Sequence, residues 1–156
     1  MLDDLDKTDR KILALLQQDG NLTAAEIADQ IGLSQSPCWR RINRLQQQGY
    51  IANRVVLLDR HKVGLGVVAF VTIKLSSHGR NSLEEFELAI VGFPEVVECW
   101  TVSGAMDYIL RVVTQDMDSY EFFLRHKLLK LAHIHEAQSH ISMTEVKNTT
   151  QLPLQP

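Results

Sequence analysis

The chain has 156 residues, enough for one ordinary hydrophobic core or two small ones. No apolar run approaches the roughly 20 residues that a membrane span needs, and the acidic start Met1-Leu2-Asp3-Asp4 has no signal-peptide core. Its two cysteines, Cys38 and Cys99, lie far apart and in no CxxC pair, which excludes a disulfide framework. We therefore expect a cytoplasmic protein with no membrane association.

The charge is distributed unevenly along the chain. The net formal charge of −3 by itself argues against a nucleic-acid binder. Residues 1–33 carry seven acidic side chains against three basic ones, and residues 63–156 carry eleven against seven. Residues 34–62, in contrast, carry six basic side chains and one acidic side chain. A basic footprint confined to one stretch is what contact with DNA phosphates requires, whatever the total charge.

Two helices are predicted before the basic stretch. Asp6 can cap a helix with its apolar residues on one stripe, and Gly20 ends it. Thr23 and Glu26 have the spacing of a capping box, which predicts a short second helix that stops at Gly32. The apolar positions of these two helices are Ile12, Leu13, Leu15, Leu16, Ala24, Ile27, Ala28 and Ile31.

A third helix begins near Ser34 and ends at Gly49, with either Ser34 or Ser36 as its cap and Pro37 in its first turn. Together with the second helix it forms a helix-turn-helix candidate, in which Gly32 suits the turn. Its buried stripe is predicted to consist of Cys38, Ile42 and Leu45, so its arginines point away from the core.

The outward face of this third helix carries the predicted chemistry. The N-terminal end of such a helix usually meets base edges, and Gln can pair with adenine and Arg with guanine, whereas arginines further along can equally bind phosphates. Trp39 either packs on the first helix or lies against the DNA backbone. The plain alternative is a solvated amphipathic helix. The predicted DNA-binding residues are Ser34, Gln35, Ser36, Pro37, Trp39, Arg40, Arg41 and Arg44.

The second part of the chain has a different pattern, in which predicted strands alternate with helices. An extended stretch over 51–58 and a polar turn over 59–62 separate it from the helices, and we place the domain boundary near residues 60–66, between domains 1–62 and 63–156. The order βαββαβ indicates a ferredoxin-like, α+β arrangement. Its elements are a strand over 67–75, a helix opened by a capping box at Ser82–Glu85, strands over 96–102 and 108–113, a helix over 119–131 and a strand over 134–146. The tail beyond Thr150 is expected to lie on a surface.

The first strand of this domain is apolar on both faces. Val67, Ala69 and Val71 share one side, and Val68 and Phe70 lie on the other. Helices cover only one face of a ferredoxin-like sheet, so the second apolar face needs another cover. The obvious cover is the same sheet of a second subunit, and a homodimer at least is expected.

Seven segments spread over nearly the whole chain form a recognisable pattern: Leu5–Leu13, Ile31–Ser34, Ser36–Ile42, Gly49–Ile51, Gly64–Gly66, Gly104–Tyr108 and Lys147–Thr150. In order and spacing they resemble the Lrp/AsnC "feast/famine" transcription regulators. The resemblance implies a winged helix-turn-helix in residues 1–62 and a ferredoxin-like effector-binding and oligomerisation domain in residues 63–156. It also implies dimers that assemble into octamers or similar rings, and an amino-acid effector bound between subunits.

The resemblance places the effector at the turn between the second and third strands, formed by Ser103, Gly104, Ala105, Met106 and Asp107. Family members often have Gly-Asp-Tyr-Asp there, so the middle pair is changed in this chain. Asp107 can pair with an α-ammonium group while backbone N–H groups take the carboxylate. Met106 makes the site less polar, which favours an aliphatic or sulfur-containing amino acid. Alternatively, Asp107 is a turn residue that caps the loop, and Gly104 serves the backbone turn in either case.

Other chemistry has little support in the sequence. His133 and His135 have H-x-H spacing and His140 lies nearby, but no cysteine or carboxylate set completes a metal site. No nucleophile is paired with a base, so neither an enzyme nor a cofactor is predicted. Two alternatives to a DNA-binding regulator stay open. One is a small-molecule-binding regulatory subunit of an enzyme, with the helices as a docking surface, and the other is a ligand-independent chromosome-organising protein.

Overall fold

The computed structural model describes residues 5–76 and 80–154, apart from the side chains of Arg80 and Asn81. Residues 1–4, whose acidic sequence argued against export, lie outside the described residues. The chain divides into two compact units, residues 1–57 with 147–156 and residues 58–146. The domain limits 1–62 and 63–156 stay a prediction, from which the compact units differ chiefly in the placement of the C-terminal segment.

The first unit contains the three predicted helices, α1 (Lys7–Gln18), α2 (Ala24–Ile31) and α3 (Gln35–Gln47). Both predicted caps of α1 and α2 are confirmed. Asp6 forms a capping box with Asp9, and Thr23 forms one with Glu26. Each box satisfies backbone N–H groups that have no partner inside the helix, which fixes where the helix begins. Gly32 ends α2 at φ 72°, a left-handed conformation that favours glycine.

Two details of the helix ends differ from the predictions. The cap at the C-terminus of α1 is Asp19 rather than Gly20, and its backbone N–H donates to the Leu15 carbonyl at 3.0 Å. Ser34 occupies the N-cap position of α3, but its side chain makes no capping hydrogen bond.

The core of the first unit is small and drawn from all three helices. The predicted stripe of α3 is buried as expected, and the seven buried residues are Ile12, Leu13, Ile27, Ala28, Cys38, Ile42 and Leu45. The C-terminal segment completes this unit. Leu154 packs against the core, and the side-chain amide of Gln17 exchanges two hydrogen bonds with the backbone of Leu152, at 2.6 and 3.3 Å. The tail expected to lie on a surface thus lies on the surface of α1.

The second unit confirms the predicted βαββαβ order and the α+β class. Its four-stranded sheet has the order β2-β3-β1-β4, and every neighbouring pair is antiparallel. A short 3₁₀ helix, Leu128–Lys130, follows the last α-helix. The elements are β1 (Val67–Leu75), α4 (Arg80–Val91), β2 (Val96–Thr101), β3 (Tyr108–Thr114), α5 (Met117–His126) and β4 (Ile134–Ile141).

Three boundaries in this unit were predicted wrongly. The helix α4 begins at Arg80, so the supposed cap Ser82 lies inside its first turn and is buried. The helix α5 begins at Met117 rather than at residue 119, because Asp116 caps it and its carboxylate accepts the Ser119 backbone N–H at 2.7 Å. The strand β4 ends at Ile141 and does not continue to residue 146, because its partner β1 has only Val67 and Val68 left to pair there.

The sheet has one face packed against α4 and α5. That core contains Ala69, Val71, Ile73, Leu75, Leu110 and Val112 from the strands and Phe86, Ile90, Tyr120 and Phe123 from the helices. The side chains of the opposite face differ, since residues alternate along each strand. Phe70 and Trp100 expose 39% and 63% of their surface there, and Thr72 Oγ1 and Arg111 Nε are buried with no hydrogen-bond partner among the described residues.

Candidate DNA-binding and effector sites

The helix α3 presents a polar face opposite its buried stripe. At about 100° per residue, Ser36, Arg40, Asn43 and Gln47 follow one another along the side away from Cys38, Ile42 and Leu45. Ser36, Arg40 and Gln47 are exposed, and Asn43 is half-buried. The sequence analysis missed Asn43 and Gln47, although the helical spacing that placed the stripe also places both residues opposite it. Asn and Gln side chains are suited to bidentate contacts with adenine.

Two of the three predicted arginines are held by carboxylates of α1. Arg41 Nη1 lies 2.6 Å from Asp6 Oδ2 and 2.8 Å from Asp9 Oδ1, and Arg44 Nη2 bonds to Asp9 Oδ2. These contacts join residues that are more than thirty positions apart in the chain. We call Asp6, Asp9, Arg41 and Arg44 the α1–α3 ion cluster.

The α1–α3 ion cluster is built into the helix cap of α1. The Asp9 backbone N–H donates to Asp6 Oδ1 at 2.7 Å, and this hydrogen bond, followed by the Arg41 guanidinium, lowers the pKa of Asp6. Hydrogen bonds to Asp6 and Asp9 raise the pKa of Arg41. The same two carboxylates therefore cap the start of α1 and bind the two arginines of α3 that face α1. The helical unit needs both roles at once, since burial of Asp9 would be costly without a cation.

Arg40 stands apart from the other two arginines. It is exposed and forms no hydrogen bond or ion pair with any residue in the described part of the chain. Trp39 is also at the surface, with 57% of its side chain exposed, so packing on α1 accounts for part of the ring at most. The assignment of Ser34, Gln35, Ser36, Pro37, Trp39, Arg40, Arg41 and Arg44 to DNA contact stays a prediction, which the geometry divides into an outward group and a group held by α1.

The turn between β2 and β3 has a specific backbone. Gly104 adopts φ 127°, where any other residue would be strained. The Val102 N–H donates to the Asp107 carbonyl at 2.9 Å, and the Asp107 N–H donates to the Ile73 carbonyl at 2.8 Å. The carboxylate of Asp107 accepts the Leu75 N–H at 2.7 Å, next to the point where β1 and β4 shift register. The Asp107 carboxylate thus holds the end of β1 beside this turn.

The side chains around this turn are differently exposed. Ser103, Gly104 and Ala105 are exposed, whereas Met106 and Asp107 are half-buried. The five predicted effector residues are therefore close together, and they form an open surface rather than an enclosed pocket. Whether they bind an effector stays a prediction.

The histidines near β4 do not form a candidate metal site with other described residues. His133 precedes β4 with φ 70°, and its Nε2 atom lies 3.8 Å from Glu85 Oε2. No group of three or more metal-ligating side chains occurs in the part of the chain that the structure describes. Residues 5–76 and 80–154 also contain no helix that is both long and apolar enough to cross a membrane.

Comparisons with known proteins agree with this architecture. Residues 5–52 match the family model described as winged helix-turn-helix DNA-binding, and residues 68–152 match the model of the Lrp/AsnC ligand binding domain. The DNA-binding transcriptional activator DecR of Escherichia coli K12 is 38% identical over 97% of this chain and 99% of its own length.

Two solved structures are similar over almost the whole chain. An AsnC family transcriptional regulator from Agrobacterium tumefaciens is 43% identical with a TM-score of 0.92, over 96% of this chain and 97% of its own. A transcriptional regulator from Neisseria meningitidis, solved as a complex with L-Met, is 37% identical with a TM-score of 0.93, over the same shares. The relatives are named as transcription regulators and not as enzymes. The chain belongs to the Lrp/AsnC family of DNA-binding transcription regulators.

Proposed function

We propose that the protein binds a specific DNA site through the outer face of α3, and that an amino acid bound at residues 103–107 controls this binding or the assembly of the subunits. The single observation that carries the DNA contact is the exposed polar face of α3, at whose centre Arg40 has no partner among the described residues. Because residues 1–33 and 63–156 are acidic, contact with DNA phosphates is favoured within residues 34–62, the stretch that contains α3. The cytoplasm, where the DNA lies, is the corresponding site of action.

The outward residues of α3 have separate roles in this proposal. Ser34, Gln35 and Ser36 lie at the N-terminal end, which enters the major groove in helix-turn-helix proteins. The helix N-terminus and the Ser34 hydroxyl, which makes no capping bond, suit a phosphate beside the groove. Arg40 is the candidate for a guanine contact, and Trp39 borders the phosphate backbone. Pro37 fixes the first turn and brings no hydrogen-bond donor.

The sheet face with Phe70 and Trp100 supports a homodimer. A second copy of the same face would bury these two aromatic rings. It would also bring polar groups within reach of Thr72 Oγ1 and Arg111 Nε, which have no hydrogen-bond partner among the described residues. Each DNA-binding unit then reads one half-site, and a larger ring of dimers multiplies the contacts.

The turn over residues 103–107 supports an amino-acid effector bound where subunits meet. It is open in a single chain, so a neighbouring subunit is needed to enclose a ligand. Met106 and Ala105 make it less polar than the Gly-Asp-Tyr-Asp pattern of the resemblance, and the similar regulator from Neisseria meningitidis binds L-Met. We therefore propose L-methionine or an aliphatic amino acid of similar size as the effector.

Selection of binding sequences from a random duplex library tests the DNA-binding half of the proposal. We expect one enriched motif with two half-sites about 34 Å apart or a multiple of that distance, as two-fold symmetry demands. Footprinting of the selected duplex with wild-type protein and with Arg40→Ala then locates α3 on it. Failure to enrich any motif, with or without amino acids, would contradict the proposal.

Thermal unfolding with single amino acids tests the effector half. A ligand at 100 times its Kd adds about 2.7 kcal/mol to the free energy of unfolding, and we expect this for L-methionine or an aliphatic amino acid. Asp107→Asn keeps an oxygen for the Leu75 N–H but removes the charge that would pair with an α-ammonium group. Loss of the ligand effect in this variant, with an unchanged melting temperature in the absence of ligand, is the expected result. If no amino acid changed the melting temperature of the wild-type protein, this result would argue against an effector.

A further inference from the structure

Asp9 is the only charged side chain that is buried among the described residues, with 1% of its surface exposed. Its two carboxylate oxygens are bound by different arginines of α3, Oδ1 by Arg41 and Oδ2 by Arg44. A buried carboxylate is costly unless cations and hydrogen-bond donors surround it. Both guanidinium groups are therefore strongly favoured to stay at α1 rather than move towards a ligand on the outer face of α3.

This arrangement reduces the free positive charge that α3 offers to DNA from three arginines to one. The α1–α3 ion cluster contains two carboxylates and two guanidiniums, so its formal charge is zero. Arg40 is left as the unpaired cation of α3 within the described residues. Phosphate contacts supply nearly all of non-sequence-specific DNA affinity, and each one adds to it on any sequence. A helix with fewer free arginines thus depends more on base contacts.

We propose that Asp9 is a specificity-determining positioning residue, whose carboxylate holds Arg41 and Arg44 against α1 and so limits the phosphate-binding charge of α3. The proposal rests on the proposed DNA contact of α3. Asp9 itself does not touch DNA, and it acts through the arginines. Its role differs from that of a purely structural residue, because it sets the ratio of binding to cognate and unrelated sequences.

The two arginines respond differently when Asp9 loses its charge. Arg41 keeps Asp6 as a partner at 2.6 Å, so it stays in place. Arg44 has no other carboxylate partner among the described residues, and 44% of its side chain is already exposed. Asp9→Asn therefore releases one cation, Arg44, for contact with phosphate. The side chain keeps its size and one acceptor oxygen, which preserves the packing of α1 on α3.

The test measures the Kd of the full-length protein, by fluorescence anisotropy over a range of KCl concentrations, for two duplexes of equal length. One is the duplex selected by the wild-type protein, and the other is a scrambled version of it. For Asp9→Asn we expect the slope of log Kd against log[KCl] on the scrambled duplex to increase by about 0.9, the value for one additional phosphate contact. The affinity for the scrambled duplex should rise about three- to tenfold, and the preference for the selected duplex should fall accordingly.

The matched control is Asp29→Asn, which removes the same charge from an exposed position of α2. We expect it to leave the salt slope and the preference at wild-type values. The double variant Asp9→Asn with Arg44→Gln should also return to the wild-type slope, because it lacks the cation that Asp9→Asn releases. If Asp9 only stabilised the fold, Asp9→Asn would lower the melting temperature without increasing the slope of log Kd against log[KCl].

The outcomes separate this inference from the proposed function. A folded Asp9→Asn protein with the wild-type slope and preference would overturn the inference and leave DNA recognition by α3 intact. If Asp9→Asn does not fold, Arg44→Gln alone decides, since an arginine already neutralised by Asp9 should contribute nothing to the slope. A slope that decreases by about 0.9 in Arg44→Gln would overturn the inference. A wild-type protein that does not distinguish the two duplexes would overturn the proposed function, and this inference with it.

Discussion

The two units of the chain differ in how far their buried polar groups are satisfied by hydrogen bonds and ion pairs. The first unit is small, yet it buries the carboxylate of Asp9 and surrounds it with arginines from another helix. The second unit has a larger apolar core, yet on one face of its sheet Thr72 Oγ1 and Arg111 Nε have no hydrogen-bond partner among the described residues. Within the described part of the chain, the buried side-chain polar atoms of the first unit all have partners, whereas these two atoms of the second unit do not.

This difference indicates where each unit carries its function. A closed network rigidifies the elements it joins, and the α1–α3 ion cluster therefore fixes the orientation of a helix that has to fit a groove. An open face with exposed aromatic residues is suited to an interface. Recognition by the first unit is thus expected to be a property of the single chain, and control by the second unit a property of the assembly.

The largest expected effect is on the apolar core of the second unit. Phe123→Ala removes a fully buried ring between the sheet and α5 and should lower the free energy of unfolding by about 4 kcal/mol. Phe122→Ala, at the neighbouring exposed position, is the matched control and should cost less than about 1 kcal/mol. Urea unfolding followed by circular dichroism measures both. Equal losses would mean that the core does not lie where the sheet and α5 meet.

The next effect concerns the open sheet face. Trp100→Glu places a charge on it and should raise the dimer dissociation constant about 100-fold, equivalent to about 2.7 kcal/mol. Trp100→Phe keeps an apolar ring and should leave the dimer intact. Analytical ultracentrifugation over a dilution series gives the masses. A dimer that tolerates the glutamate would place the interface elsewhere and remove the contrast between the two units.

A smaller effect is expected at the outer face of α3. Arg40→Ala should weaken binding to the selected duplex by about 1–3 kcal/mol if Arg40 contacts a base, and preference at one base position should relax. The variant should keep the wild-type melting temperature, because Arg40 has no partner among the described residues. Anisotropy with single-base variants of the duplex measures the change. Undiminished affinity would exclude Arg40 from the interface.

The smallest effect concerns the cap carboxylate Asp6, whose pKa is lowered in the folded chain by the Asp9 N–H and by Arg41. Because its folded pKa is lowered, the Asp6 carboxylate adds to the free energy of unfolding above its unfolded pKa of about 3.9. This contribution is lost as the pH falls through the lower, folded pKa. Asp6→Asn keeps a good N-cap residue but cannot titrate. Its melting temperature should therefore decrease less than that of wild type between neutral and acidic pH. Parallel decreases would show that Asp6 contributes no pH dependence.

Local signals in the sequence predicted the parts of the fold that depend on neighbours in the chain. The capping box of Thr23 and Glu26 and the left-handed Gly32 are readable because they lie within one or two turns. The capping box at Ser82–Glu85 shows the limit of such signals. Ser82 has the right spacing but is buried inside the first turn of α4, which begins at Arg80.

The candidate DNA-binding site was predictable as a helix face but not as a set of free charges. Periodicity places Arg40, Arg41 and Arg44 away from the buried stripe, and it does not indicate which carboxylate each arginine meets. Asp9 meets two of them from more than thirty residues away, and only the packing of α1 on α3 brings them together. The hydrogen bond from the Leu75 N–H to Asp107 likewise joins the end of β1 to a turn thirty-two residues later, and the sequence pattern does not indicate that contact.

The contact of Leu152 and Leu154 with the first unit has a consequence for synthesis of the protein. Residues of α1 leave the ribosome early, whereas the segment over 147–154 that hydrogen-bonds to Gln17 is made after the entire second unit. The nascent helix-turn-helix therefore lacks the contacts of Leu152 and Leu154 until translation reaches this segment. A polypeptide that stops before residue 147 would carry the recognition helix without those contacts, and chaperones and proteases would meet a less stable DNA-binding unit.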